Sequence, residues 1–300
     1  MFFDRLILLV CAASWASVVP LMSRLLEKYD PLLLSVSRNV FGAAILVAVA
    51  ISFDRSRPLR WRGHPQHLFW LGCSLATFSL LYITGMASVD IITAAALVGC
   101  QPVAAALTAA VLDDRRITVT LWGAVLAASL GGLLVASTPG TLTCCQHLGG
   151  SLLICASLVA WAWYSIMAQR WLGGASQLRV TAITFTASAA IQIAVLAGIG
   201  WAGLIPFPDA PDWRDGALLG GAVIAGVVIG PWLWNIGVQR VGIVLASLHM
   251  NLVPVFGIAL AAAAFGDWPT WSQLAGTGLI LVGITCSLPE PTPLAPATNG

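Results

Sequence analysis

Gly99-Cys100-Gln101-Pro102-Val103-Ala104 lies in the middle of an apolar run and returns 152 residues later as Asn251-Leu252-Val253-Pro254-Val255-Phe256, with Pro-Val in the same place. The same shift lays Gly85 on Gly237, Val89 on Val241, Ala94 on Ala246 and Gly131 on Gly283. Nearer the N-terminus the shift is 146, which lays Trp15-Ala16 on Trp161-Ala162, Arg24 on Arg170 and Ala43-Ala44-Ile45 on Ala189-Ala190-Ile191. The chain therefore carries one unit twice, with an insertion of six residues in the second copy, best placed in its most polar loop.

Outward from these matches, composition fixes the solvent. Of the 300 residues 59% are hydrophobic and 9% charged, with a mean hydropathy of +0.91, whereas a soluble domain has about a quarter of its residues charged. The charges fall in short clusters between ten apolar blocks, near 6–26, 31–53, 67–88, 91–112, 118–137, 148–170, 179–204, 216–238, 242–265 and 271–288. Each is about the ~20 residues that a spanning helix needs. The expected fold is an all-α polytopic membrane protein: ten transmembrane helices as two five-helix repeats, over 1–140 and 141–288. Five is odd, so the second copy crosses the bilayer inverted. Inverted repeats place a solute site at their interface near the bilayer midplane and give alternating access.

Basic residues set the orientation. Arg5, Arg55, Arg57, Arg60, Arg62, Arg115, Arg116, Arg170, Arg179 and Arg240 fall on the side of the N-terminus, and only Arg24, Lys28 and Arg214 on the other. Lys and Arg are retained in the cytoplasm, so both termini are expected there. The start Met-Phe-Phe-Asp-Arg lacks the basic character of a secretory leader, so the first block is expected to remain as a helix. Residues 289–300 are Pro-rich without apolar periodicity and are expected to form a disordered cytoplasmic tail. The seven cysteines have no metal-ligand spacing, and no metal or cofactor is expected.

The candidate site follows from the repeat, since positions related by it line one cavity from both sides. On a continuous helix Leu97 and Gln101 share a strip, and their mates are His249 and Val253. Gln101 and His249 are thus the expected polar contacts. No Asp or Glu falls in mid-span, which disfavours a carboxylate-driven pump. The drive is expected to be the solute gradient, with proton coupling through His249 as the alternative.

Rings are the stronger signal among 13 tryptophans, 10 phenylalanines and 3 tyrosines. Trp61, Trp70, Trp201, Trp213, Trp268 and Trp271 lie near block ends, as interfacial tryptophans do, while Trp15, Phe78, Tyr82, Trp161 and Trp163 lie deeper. Brought together, the deeper set makes an apolar cavity suited to a flat solute. Pro102 and Pro254 interrupt the fourth and ninth helices at matched positions, each removing a backbone donor. With Gly230 they are the expected kink or hinge points. Gly123, Ala127 and Gly131, and Gly226, Gly230 and Gly237, have the four- or seven-residue spacing of small residues that lets helices approach closely.

The duplicated five-helix unit, Arg38 in Ser-Val-Ser-Arg-Asn, the Pro102 and Pro254 segments and the Gly-rich closing helices resemble the drug/metabolite transporter superfamily, in particular its EamA-type members. Within it, the aromatic content and the run Ile-Val-Leu-Ala-Ser-Leu-His-Met-Asn-Leu-Val-Pro-Val at 243–255 look like the bacterial aromatic amino-acid exporters. The resemblance implies a multi-pass protein of the bacterial inner membrane that exports aromatic amino acids, with related metabolites or drugs. It implies that helices one, three, four, six, eight and nine wall the cavity while five and ten brace it. The expected partners are a small-molecule solute and membrane lipid, not nucleic acid; one copy is sufficient to enclose the cavity. Phosphorylated solutes, carried by other members of the superfamily, need cavity cations, and Arg38, whose mate is Thr184, is the one candidate. Catalysis is disfavoured: Ser247 and His249 diverge on a helix, and no nucleophile elbow is present.

Overall fold

The structure, a computed structural model, describes residues 2–53, 64–114, 119–136, 144–172, 174–201 and 211–287. The expected boundary at 140/141 and the Pro-rich tail lie outside these residues. Those described are helical, without a strand. The first copy forms α1 (Phe2–Leu26), α2 (Pro31–Phe53), α3 (Pro65–Met86), α4 (Ile91–Val98), α5 (Gln101–Leu112) and α6 (Val119–Ala136). The second forms α7 (Cys144–Leu172), α8 (Gln177–Trp201), α9 (Trp213–Val223), a π-helical turn (Ile224–Ile229), α10 (Gly230–Val241), α11 (Ile243–His249), α12 (Leu252–Phe265) and α13 (Trp271–Ser287).

Among the described residues, seven helices are long and apolar enough to cross a membrane: α1, α2, α3, α7, α8, the continuous run from α9 to α10, and α11 with α12. The pair α4 and α5, bent by 41° at Gly99 and Cys100, forms an eighth as one broken span. The fifth and tenth apolar blocks correspond to α6 and α13, shorter helices that pack along each other. This is a multi-pass membrane protein.

Local chemistry starts and stops these elements. Asp90 accepts from the Ile92 and Thr93 amides at 3.0 and 2.9 Å and caps α4, and Asp212 accepts from the Asp215 amide at 2.8 Å and caps α9. Such caps satisfy amides that have no partner within the helix. Gly242, with φ 81°, turns the chain between α10 and α11, and Gly266, with φ 73°, ends α12; both conformations suit a residue without Cβ.

The packing is reciprocal between the copies. Helix α3 lies on α7, and its mate in the second copy, the α9–α10 run, lies on α1, the mate of α7. Contact of α3 with α8 is matched by contact of α9 and the π turn with α2, and contact of α5 with α7 by that of α12 with α1. The pairs α2 with α8 and α6 with α13 map onto themselves, and contact of α4 with α12 is matched by that of α5 with α11. Exchange of this kind is the signature of a two-fold relation.

Glycines bring the backbones together at two crossings. A Cβ on Gly85 would sit 2.7 Å from the Gly150 carbonyl oxygen, and one on Gly150 would sit 2.8 Å from that of Gly85, which locks α3 to α7. Gly131 and Gly276 face each other in the same way, at 2.7 and 2.6 Å, and lock α6 to α13. The crossing pairs were not apparent from spacing within single helices, because each joins glycines from different copies.

Candidate functional site

Near the two-fold axis, the broken spans expose one turn each to a common space. In α4–α5 the amides of Gly99, Cys100 and Val103 bond carbonyls three residues back, at 2.9, 3.0 and 3.1 Å. In α11–α12 those of Met250, Asn251 and Val253 do the same, at 3.0, 3.2 and 2.9 Å. Three-residue turns bring residues i and i+3 onto one line. Pro102 and Pro254, in the first turn of the helix that follows each break, supply no amide of their own.

The tightened turns decide which side chains meet the cavity. Its wall holds Val98 and Gln101 from the first copy and Met250 and Val253 from the second, pairs three apart and related by the 152-residue shift. The strip read from a continuous helix placed Leu97 and His249 there instead. His249 is half-buried at the end of α11 with its Nδ1 2.9 Å from the carbonyl of Leu245 one turn back, and it does not line the cavity. The break after it is the reason.

Trp15 from α1, Phe78 and Tyr82 from α3 and Trp161 from α7 complete the ring-lined wall, with Val18, Leu158 and Gly226 between them. Trp15 and Trp161, mates under the repeat, meet edge to face with centroids 5.2 Å apart. Phe78 lies 4.8 Å from Trp161 and 5.6 Å from Tyr82. Behind them Trp234 is fully buried, 5.5 Å from Trp15, and its indole N–H donates to Ser165 Oγ at 2.8 Å. The cavity between these side chains is about 50 Å³, well below the roughly 300–1,000 Å³ of small-molecule pockets, so the rings must move apart to admit a solute. Five of the seven expected contact residues, Trp15, Phe78, Tyr82, Gln101 and Trp161, are thus brought together. Trp163 is not among them: two residues from Trp161 it points about 200° away, and it packs edge-on to Trp171, which in turn stacks on His67.

Gly226 and Gly230 belong to the widened turn of the α9–α10 run. Gly226 forms part of the cavity wall, where a Cβ would sit 2.8 Å from Val18. Gly230 ends the π turn, donating to the Ala225 carbonyl, and Trp15 lies directly against it. The Ala225 carbonyl also accepts from Ser14 Oγ at 2.9 Å, so α1 holds the turn from outside. A π turn gives no warning in apolar sequence.

Arg38 is the residue whose place the sequence left undecided. It is 4% exposed and lines the cavity from α2. Its Nη2 donates to Ser79 Oγ at 3.1 Å, and Asn39 Nδ2 donates to the same oxygen at 2.6 Å. Ser79, accepting twice, therefore donates its hydroxyl to Ser35 Oγ, 2.9 Å away, and Ser35 donates to Gln192 Oε1 at 3.1 Å. At the related place in the second copy, Thr184, Tyr164, Thr181 and Asn235 form a neutral network. The available signal was a lone cation inside an apolar span.

Ion pairs join the copies at both ends of the bundle. At the end bearing the chain start, Arg170 pairs with Asp113, and Arg240 with Asp4 at 2.9 Å. At the opposite end, Arg24 reaches Asp267 at 3.3 Å, Lys28 reaches Asp215 at 2.9 Å, and His147 lies 3.2 Å from Asp90. The hydrogen bond to Asp215 holds the Lys28 ammonium above its ordinary pKa. Arg24 and Arg170 are mates under the 146-residue shift, and their partners follow α12 and α5, the closing helices of the two broken spans.

Two exchanged halves around a ring-lined central cavity define a helical membrane transporter. Residues 5–137 and, again, 148–288 match the EamA-like transporter family, and the chain belongs to it. It is 25% identical over 247 residues to the uncharacterized transporter YyaM of Bacillus subtilis (strain 168), covering 81% of this chain and 79% of that protein. A protein of known crystal structure shares the fold, with a TM-score of 0.70 and 20% identity, over 95% of this chain and 96% of that one.

Proposed function

We propose that this chain exports small aromatic solutes, aromatic amino acids foremost, across the bacterial inner membrane, with both termini in the cytoplasm. The supporting observation is the wall made by Trp15, Phe78, Tyr82 and Trp161 at the two-fold axis. Four rings offer a flat solute edge and face contacts that an aliphatic solute of the same volume forgoes, each such pair contributing about 0.5–1.5 kcal/mol. No carboxylate lines the cavity among the described residues, so transport runs down the solute gradient. The test is flux of labelled tryptophan into proteoliposomes, with and without an imposed pH gradient. Saturable flux, competed by phenylalanine and tyrosine but not by leucine or lysine and indifferent to the pH gradient, is the expected result. No flux, or equal competition by leucine, removes the aromatic reading.

Alternating access in this reading uses the matched ion pairs as opposite closures. Arg24–Asp267 holds α1 to the end of the second broken span, and Arg170–Asp113 holds α7 to the end of the first. Both are partly exposed, so each contributes at most about 1 kcal/mol. Asp267→Lys should raise labelling of a Val18→Cys cavity thiol, in a chain otherwise without cysteine, about two- to fivefold from the Arg24 end. Asp113→Lys should act from the other end, and adding Arg24→Asp to Asp267→Lys should restore the parent ratio. Both reversals acting on the same end would remove these closures from the mechanism.

A further inference from the structure

We infer that Arg38 anchors a carboxylate on the transported solute, so that the cavity takes aromatic monocarboxylates with or without an α-ammonium group and refuses aromatic amines. This rests on the aromatic-solute reading and names which part of the solute the protein holds by charge.

The cavity wall has donors without acceptors. Arg38, Gln101 and Trp161 line it at 4%, 2% and 2% exposure, and Arg38 Nε, Gln101 Nε2 and Trp161 Nε1 are buried with no hydrogen-bond partner. An ionised carboxylate is an acceptor with two oxygens and no proton to place. It is the complement to such a wall; an ammonium group would add further donors. A guanidinium also matches a carboxylate in two-point geometry.

Charge gives the same answer independently. Among the described residues Arg38 hydrogen-bonds the neutral Ser79 oxygen, and no Asp or Glu lines the cavity. A buried cation without a counter-ion is costly; an anionic solute supplies one when it binds. One guanidinium balances one negative charge. A phosphate dianion would leave the second uncompensated, which disfavours phosphorylated solutes.

The guanidinium is also held ready. The directed chain from Asn39 and Arg38 through Ser79 and Ser35 to Gln192 holds Arg38 at Nη2 and leaves Nε without a partner. Such preorganisation reduces the ordering cost of binding.

The test uses the full chain in proteoliposomes, with labelled tryptophan as the transported probe and indole-3-propionate and tryptamine as competitors. They carry the same ring with a carboxylate alone and an ammonium alone. Indole-3-propionate should compete within about fivefold of unlabelled tryptophan, and tryptamine at least about tenfold more weakly. Arg38→Gln should lower tryptophan uptake at least about tenfold and erase the difference between the two competitors, while Arg38→Lys retains part of both. The competition series on the unaltered chain decides the matter even where an Arg38 variant does not fold. Equal competition by tryptamine and indole-3-propionate overturns the assignment of Arg38 and leaves the aromatic reading standing. Absence of tryptophan flux and of binding by any indole compound removes both.

Discussion

Gly230→Ala is expected to cut solute flux at least about tenfold in a chain that still inserts and folds. The added methyl would stand 2.2 Å from Trp15 Nε1 and 2.6 Å from its Cδ1, far inside van der Waals contact. The indole is rigid and has no flexible end to bend away. It must rotate as a unit, and its other sides are held by Trp161 at 5.2 Å and Trp234 at 5.5 Å. The remaining direction is the cavity, which Trp15 lines. Overpacking of this kind costs about 1–3 kcal/mol, and about 1.4 kcal/mol of lost solute affinity is tenfold. Flux in proteoliposomes and thermal unfolding of the purified chain are the measurements. Adding Trp15→Ala should recover stability but not flux, since the ring itself contributes to the wall. Parental flux and parental Tm in Gly230→Ala would show that the π turn yields instead.

Gly150→Val is expected to have the largest effect on folding, about 2–3 kcal/mol or more. At this crossing neither neighbour is a mobile side chain. The Cβ would meet the Gly85 carbonyl oxygen at 2.8 Å and Ser88 Cβ at 2.8 Å, while Gly85 already faces the Gly150 carbonyl. Separating the backbones moves α3 from α7, and with them Phe78 and Tyr82 from Leu158 and Trp161. The ring-lined wall opens along its seam. The neighbouring glycine is the internal control: a Cβ on Gly149 meets nothing within 4 Å, so Gly149→Val should stay within about 0.5 kcal/mol. Thermal unfolding and the yield of monodisperse protein compare the two. Equal behaviour of the pair would mean that α3 and α7 can slide apart at little cost.

Much of the site was legible because the chain states its symmetry in residues. Trp15 on Trp161 and Gln101 on Val253 are matches that survive any later rearrangement of the helices; the first pair meets edge to face, and both members of the second line the cavity. Failure began where the reading assumed a continuous helix. The strip through Leu97 and His249 depends on regular α-helical spacing; turns bonded three residues back replace it with Val98 and Met250. Trp163 was chosen for its depth, but depth does not specify azimuth, and its helix turns it toward Trp171.

Arg38 shows a different limit. Its mate in the other copy is Thr184, so the repeat gives no hint of its use. Its surroundings come from α2, α3, α4–α5 and the π turn together, elements distant in the chain.

By itself the sequence determined the membrane as solvent and the presence of two copies, because hydropathy and duplication need no knowledge of packing. Only the tertiary structure decided which faces of the broken spans look inward, where the π turn makes room for Trp15, and that a buried guanidinium stands among the rings. Those depend on local departures from helical geometry and on side chains from separate helices arriving at one point, which one-dimensional periodicity does not encode.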